Sequence, residues 1–177
     1  MVPTDEMIDP NFKAPAYESV TKMSLSKKNQ LIMEVTRESE SWSVGVPFIT
    51  THKVLDGQVQ DYITLFENIK KEKVVEEVGD LESYGLASPE LLIVLNDEYK
   101  LEFGSSQNGL IYFRSSEDSG IYLIKEAAVN TLFEVEPFSW IDKTLYTFDR
   151  KALKEVIVTK GEEVYTPVSY THLTLPT

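Results

Sequence analysis

LLIVLNDEYKLEFGSSQNGLIYFRSSEDSGIYLIK, residues 91–125, is the stretch that decides the fold. It opens on the apolar run Leu91 to Leu95, entered just past Pro89, and continues through YKLEFG, GLIYFRS and GIYLIK. These segments are dominated by aliphatic and aromatic residues that suit a pleated, half-buried surface. Turn formers separate the later ones, at Ser105-Ser106-Gln107-Asn108-Gly109 and from Ser115 to Gly120. The pattern predicts an antiparallel meander.

Working outward toward the N-terminus, DLESYGLASP prepares the entry to this meander. Asp80 is placed to cap a short helical turn, Gly85 to end it in the left-handed conformation, and Leu86 to fold back onto the core. Before it lies the clearest helix, LDGQVQDYITLFENIKK, in which Val59, Tyr62, Ile63, Phe66 and Ile69 recur at three- and four-residue steps. Asp56 is expected to cap its first turn. Lys70, Lys71 and Lys73 are expected to face its C-terminal dipole, with a short strand near Val74-Val75 beyond. Further upstream, SVTKMSLSKKNQLIMEV alternates as a hairpin: Val20, Met23 and Leu25, a Lys27-Lys28-Asn29 turn, then Leu31 and Met33 on the same buried face. SWSVGVP follows as a third strand, with Trp42 and Val44 inward and a stop at Pro47. Pro3, Pro10 and Pro15 make residues 1–16 an extended linker.

Downstream of the meander, KEAAVNTLF reads as a second helix with Ala128, Val129 and Leu132 inward. ALKEVIV, TKGEE and VY then give strand, turn and strand. Leu153, Val156, Val158 and Val164 fall in step with Val20, Met23, Leu25 and Leu31, so the hairpin pattern starts a second time. The predicted organisation is therefore a linker over 1–16, an α+β domain over 17–150, and the first hairpin of a truncated second unit over 151–167. The α+β domain holds mostly antiparallel sheet and two main helices, and the repeated pattern makes it the first unit of a repeated architecture. The last ten residues, Val168 to Thr177, read VSYTHLTLPT. They back-translate as GTC TCT TAT ACA CAT CTG ACG CTG CCG ACG. That string resembles the transposon end and adapter used to prepare sequencing libraries, with Pro167 supplying the two preceding bases. Residues 168–177 are accordingly expected to be a non-native tail, and His172 within it carries no mechanistic weight.

Composition narrows the function. The 177 residues carry a formal net charge of −12, which repels nucleic acid and anionic lipid headgroups. There is no cysteine, which excludes disulfides, cysteine nucleophiles and thiolate metal sites. The longest apolar run, Leu91 to Leu95, is too short to cross a bilayer, and no secretory leader is visible in MVPTDEMIDPNFKAPAY.

The side chains suited to chemistry are few. With His172 set aside, His52 in ITTHKV remains, and nothing nearby in sequence supplies the nucleophile and orienting group that a catalytic base needs. Glu67, Glu72, Glu76, Glu77, Asp80 and Glu82 form an acidic stretch, but lysines are interleaved and the alternating Asp/Asn spacing of a calcium loop is missing. GSSQNG lacks the signature of a nucleophile elbow or a phosphate loop and reads as a hairpin turn. Tyr112, Phe113 and Tyr122 are the candidates for an aromatic carbohydrate platform, against the plainer role of core and cross-strand pairs. No residue is assigned a catalytic, cofactor-binding or metal-binding role, and no cofactor is expected.

Trp42 and Pro47, the following amphipathic helix, YGLASP, LEFG, IYFR, GIYLI and DKTLYTFDRKALKEVIV occur in an order that resembles the bacterial domain-of-unknown-function family 4340, across roughly residues 17–166. The resemblance implies an extracytoplasmic α+β body, a membrane anchor near the N-terminus of the full-length protein, and frequent repetition of the unit. It also implies neighbouring genes for an export-type ABC transporter of the gliding-motility kind. It transfers no catalytic residue. This chain shows no anchor and stops where a next repeat would begin, as a fragment would. The function expected is that of a non-enzymatic accessory or interaction module serving an ABC-type export or envelope system, with transporter subunits as protein partners and no nucleic-acid partner. A small-ligand or glycan-binding domain is the alternative, and a hydrolase with an unrecognised site is the third.

Overall fold

Strict alternation of buried and half-buried side chains builds most of the strands. The computed structural model describes residues 10–76, 79–117 and 119–144, with the backbone of 158–160 and 163–165. In chain order the elements are β1 (Lys22–Lys27), β2 (Gln30–Glu38), β3 (Ser41–Val46), β4 (His52–Lys53), α1 (Gln58–Thr64) and β5 (Lys73–Val74). They continue with β6 (Leu91–Leu95), β7 (Tyr99–Gln107), β8 (Leu110–Ser115), β9 (Tyr122–Lys125), α2 (Glu126–Phe133), α3 (Pro137–Trp140), β10 (Val158–Lys160) and β11 (Glu163–Tyr165). The chain divides into two compact units, Met1–Asp142 and Lys143–Thr177.

The first unit is a nine-stranded antiparallel sheet in the order β4-β3-β2-β1-β6-β7-β8-β9-β5. This is the α+β class with mostly antiparallel sheet. The 91–125 meander forms β6 to β9 as the turn chemistry dictates, with two-residue reversals at Asn96-Asp97 and Asn108-Gly109. All four of these residues have positive φ, from 52° to 76°, the geometry of the tight hairpin turns that Asn, Asp and Gly favour. The second reversal is tighter than expected, because Ser105, Ser106 and Gln107 stay in β7. Met23, Leu25, Met33, Val35, Leu91, Ile93, Leu101, Phe103, Ile111 and Phe113 point to one face of the sheet and are buried.

That face is covered by Val59, Tyr62, Ile63 and Phe66 of α1 and its 3-10 extension (Leu65–Asn68), by Val129 and Leu132 of α2, and by Trp140 of α3. Fully burying a side chain of this kind contributes about 1.5–3 kcal/mol. Tyr62 ties the layer together. Its hydroxyl donates to the Leu132 carbonyl at 2.8 Å, and its ring meets Trp140 edge-on at 5.3 Å. The opposite face is polar and laced by ion pairs, with Lys22 2.9 Å from Asp97 and Arg114 forking onto Glu102 at 2.6 and 2.8 Å.

Several local expectations are corrected. Leu31 is 42% exposed, because a bulge opposite Leu25-Ser26 turns it off the face that Met33 occupies. Asp56 does not cap α1. Gly57, at φ 81°, takes the N-cap position without a side-chain bond, and Asp56 turns to Lys53 at 3.3 Å. The helix ends before the lysines: Lys70 forms a bridge with Asn11, and Lys73 is in β5. Ala128 is exposed, because Val129 and Leu132 alone define the inward line of α2.

Within the segment read as a linker, Phe12 belongs to the core. Phe12 is 8% exposed, lies edge-on to Phe113 at 5.5 Å and stands 6.2 Å from Tyr99. In the second unit, β10 and β11 pair antiparallel with Thr159 opposite Val164, so Thr159, Lys160 and Glu163, read as turn residues, belong to strands. Leu153, Val156 and the tail at 168–177 lie outside the described residues. No helix among the described residues is long and apolar enough to cross a membrane.

Candidate binding groove

The groove originates in a break of the β7–β8 ladder. Phe103 pairs with Phe113, but the next pair is Ser106 with Ile111, so β7 carries one extra residue at Gly104-Ser105. The bulge is matched by the loop ahead of β6. Leu86 and Ala87 donate backbone N–H groups to the Leu81 carbonyl, Glu82 N–H reaches the Asp80 carboxylate at 3.3 Å, and Gly85 sits at φ 70°. These bonds realise the capped turn that DLESYGL encodes. Ser105 N–H then donates to the Tyr84 carbonyl at 2.8 Å, and Leu86 is buried. Gly104 and Gly85 are glycines because the two backbones touch. A Cβ on Gly85 would stand 2.6 Å from Ser105 N, and one on Gly104 would run into the Tyr84 carbonyl oxygen.

α2 forms the facing wall. Its start is pinned by Glu126 N–H donating to the Gly109 carbonyl at 3.0 Å, and its end by Lys27, whose Nζ donates to the Phe133 carbonyl at 2.7 Å. Glu126, Asn130 and Glu134 recur at four-residue steps and so form one stripe along this wall. Between α2 and the bulge lies a groove of about 470 Å³ with Ile111 and Phe133 as its apolar floor, Ser105 and Ser106 on the strand side and Glu90 at one end. Glu90 pairs with Lys28 at 3.4 Å. Among the described residues, no cation pairs with Glu126 or Glu134. The lining offers apolar surface, one side-chain amide and carboxylates that attract cations. A second hollow of about 320 Å³ lies between the N-terminal segment, at Phe12 and Tyr17, and α1, at Ile63 and Thr64.

The residues singled out from sequence lie elsewhere. His52 is half-buried in β4. Its Nε2 is 3.3 Å from Thr50 Oγ1, and its ring stands edge-on to Phe48 at 5.2 Å. The acidic stretch is dispersed: Glu72 pairs with Lys125 at 3.1 Å, Asp80 holds its own turn and Glu67 borders the second hollow, while Glu77 lies outside the described residues. Among the described residues, no three His, Asp or Glu side chains gather as a metal site would require.

The aromatic platform does not assemble. Tyr112 is opposite Leu123 and Phe113 opposite Tyr122, so Tyr112 and Tyr122 point to different faces of the sheet. Phe113 is fully buried, Tyr112 stacks on Tyr84 at 4.8 Å, and Tyr122 lies 4.3 Å beneath the Lys71 ammonium. The groove itself was missed. The four-residue spacing of Glu126, Asn130 and Glu134 was its one sequence signal.

The fold and groove define a class: an α+β domain with a one-sided antiparallel sheet and a lateral, acid-rimmed cleft. The chain belongs to the family described as domain of unknown function DUF4340, whose family model matches residues 50–167. The match takes in the helix, the meander, both walls of the groove and the second hairpin. β1 to β3 precede it in sequence but share its sheet. No curated protein and no solved structure matches the chain.

Proposed function

We propose that the protein is a non-enzymatic interaction module on the extracytoplasmic face of the bacterial membrane, tethered in its full-length form. It serves an ABC-type export or envelope system through contacts with transporter subunits. The observation that carries this reading is the groove. It presents an open apolar floor and two rim carboxylates, Glu126 and Glu134, with which no cation pairs among the described residues, on a frame fixed by the α2 anchors and the double-glycine contact, as a preformed protein-contact site requires. Membership of the family supports the compartment and the partner class that the resemblance implies.

The test is co-purification. The full-length gene is tagged at its own locus, membranes are crosslinked and solubilised, and captured proteins are identified. Recovery of the subunits encoded alongside is the expected result; capture of none, with the tagged protein present in the membrane, overturns the reading. A second reading is favoured by the groove's volume, which falls within the ~300–1,000 Å³ of small-ligand sites. Under it, a soluble sugar or amine raises the melting temperature of the purified chain.

A further inference from the structure

Resting on the interaction-module reading, we propose that the groove receives an extended, basic segment of a partner protein. Two Lys or Arg residues four positions apart meet Glu126 and Glu134, and an apolar residue between them packs on Phe133 and Ile111.

Three observations carry this. First, Glu126 opens α2 and Glu134 is its C-cap residue, eight positions on, or about 12 Å of helix rise. An extended chain advances about 13 Å over four residues, so two cations four positions apart match the spacing of the two carboxylates, while the alternating side chains between them turn toward the floor. Second, β7 runs on through Gly104–Gln107 after its last pairing with β6, at Phe103 with Leu91. The strand side of the groove is thus lined by extended backbone past the end of its neighbour. Third, the C-terminal end of α2 favours a cation: Lys27 Nζ bonds the Phe133 carbonyl there, at the negative end of the helix dipole. In a chain of net charge −12, an acidic partner or a second copy would be repelled from this rim, whereas a basic segment complements it.

Random heptapeptides displayed on phage are selected against the purified full chain and, in parallel, against the double variant Glu126→Gln/Glu134→Gln. The expected consensus carries Lys or Arg at positions four apart with an apolar residue between. The synthesised consensus peptide is expected to bind the double variant about tenfold or more weakly, and to weaken as NaCl is raised. An unchanged melting temperature of the variant shows that its fold is intact. A consensus without basic residues, no enrichment at all, or equal binding to the double variant overturns the proposal. The same substitutions are placed in the tagged full-length protein. If the variant still captures the partner subunits, the groove is not their site although the module reading stands; if the wild type captures none, it is the module reading that fails.

Discussion

Replacing Gly85 with alanine tests whether the loop–bulge contact holds the groove wall in place. Two costs are separable there. At φ 70° a side chain adds about 1–2 kcal/mol of left-handed strain. The new Cβ would also stand 2.6 Å from Ser105 N and 3.2 Å from Ser105 Cβ, so the loop must lift. Lifting breaks the Ser105 N–H to Tyr84 carbonyl bond, worth about 1 kcal/mol, and uncovers part of Leu86, worth about another 1 kcal/mol. The expected total is about 3 kcal/mol, or roughly 6–12 °C in Tm for a chain of this size.

Gly109→Ala is the control. It shares the positive φ, at 76°, but a Cβ there meets nothing within 4 Å, so it carries the strain alone and should lower Tm by roughly 2–8 °C. Tryptophan fluorescence reads the right unit, since Trp42 and Trp140 are both buried in Met1–Asp142. A Gly85→Ala variant no less stable than Gly109→Ala would refute the close-approach argument, leaving Gly85 as an ordinary turn glycine.

Phe12→Ala should cost about 3–5 kcal/mol in urea unfolding, because Phe12 packs in the core; a change within 0.5 kcal/mol would return residues 10–16 to a linker role. Tyr62 gives a pH signature. Burial raises its phenol pKa well above the usual value near 10. The folded state therefore keeps this proton where the unfolded state releases it, and the stability contribution is complete below pH ~10 and declines above it. In Tyr62→Phe, which also loses the bond to Leu132, the decline above pH ~10 measured by denaturant titration should be shallower; identical slopes in the two proteins would contradict the burial of the phenol.

The strands and the inward line of α1 were legible because period-two and period-3.6 patterns are local properties of the chain. Alternation across 91–125 marked four strands, and the turn formers ending at Asn108-Gly109 marked one of their reversals, whereas that at Asn96-Asp97 was not singled out. The capped turn at Asp80 to Leu86 was legible for the same reason: each of its bonds spans a few residues. The misreadings share the opposite cause. Leu31 fits its pattern, yet a bulge set by a neighbouring strand exposes it. Asp56 has capping chemistry, but Gly57 can adopt the left-handed geometry that the chain entry demands. The choice between an aromatic platform and cross-strand pairs was likewise not local: only the register places Tyr112 and Tyr122 on opposite faces and pairs Phe113 with Tyr122.

By itself the sequence determined the α+β class, the meander, the hairpins and the family, since these follow from the spacing of apolar residues and from turn chemistry that acts over a few residues. Tertiary structure alone decided that β1, from the first hairpin, pairs with β6, that Phe12 belongs to the core, and that Glu126 and Glu134 overlook an apolar floor. Those outcomes depend on which distant backbones approach closely enough to pack or bond; at the groove, Gly85 and Gly104 allow the approach, because their missing side chains let one loop rest on one strand.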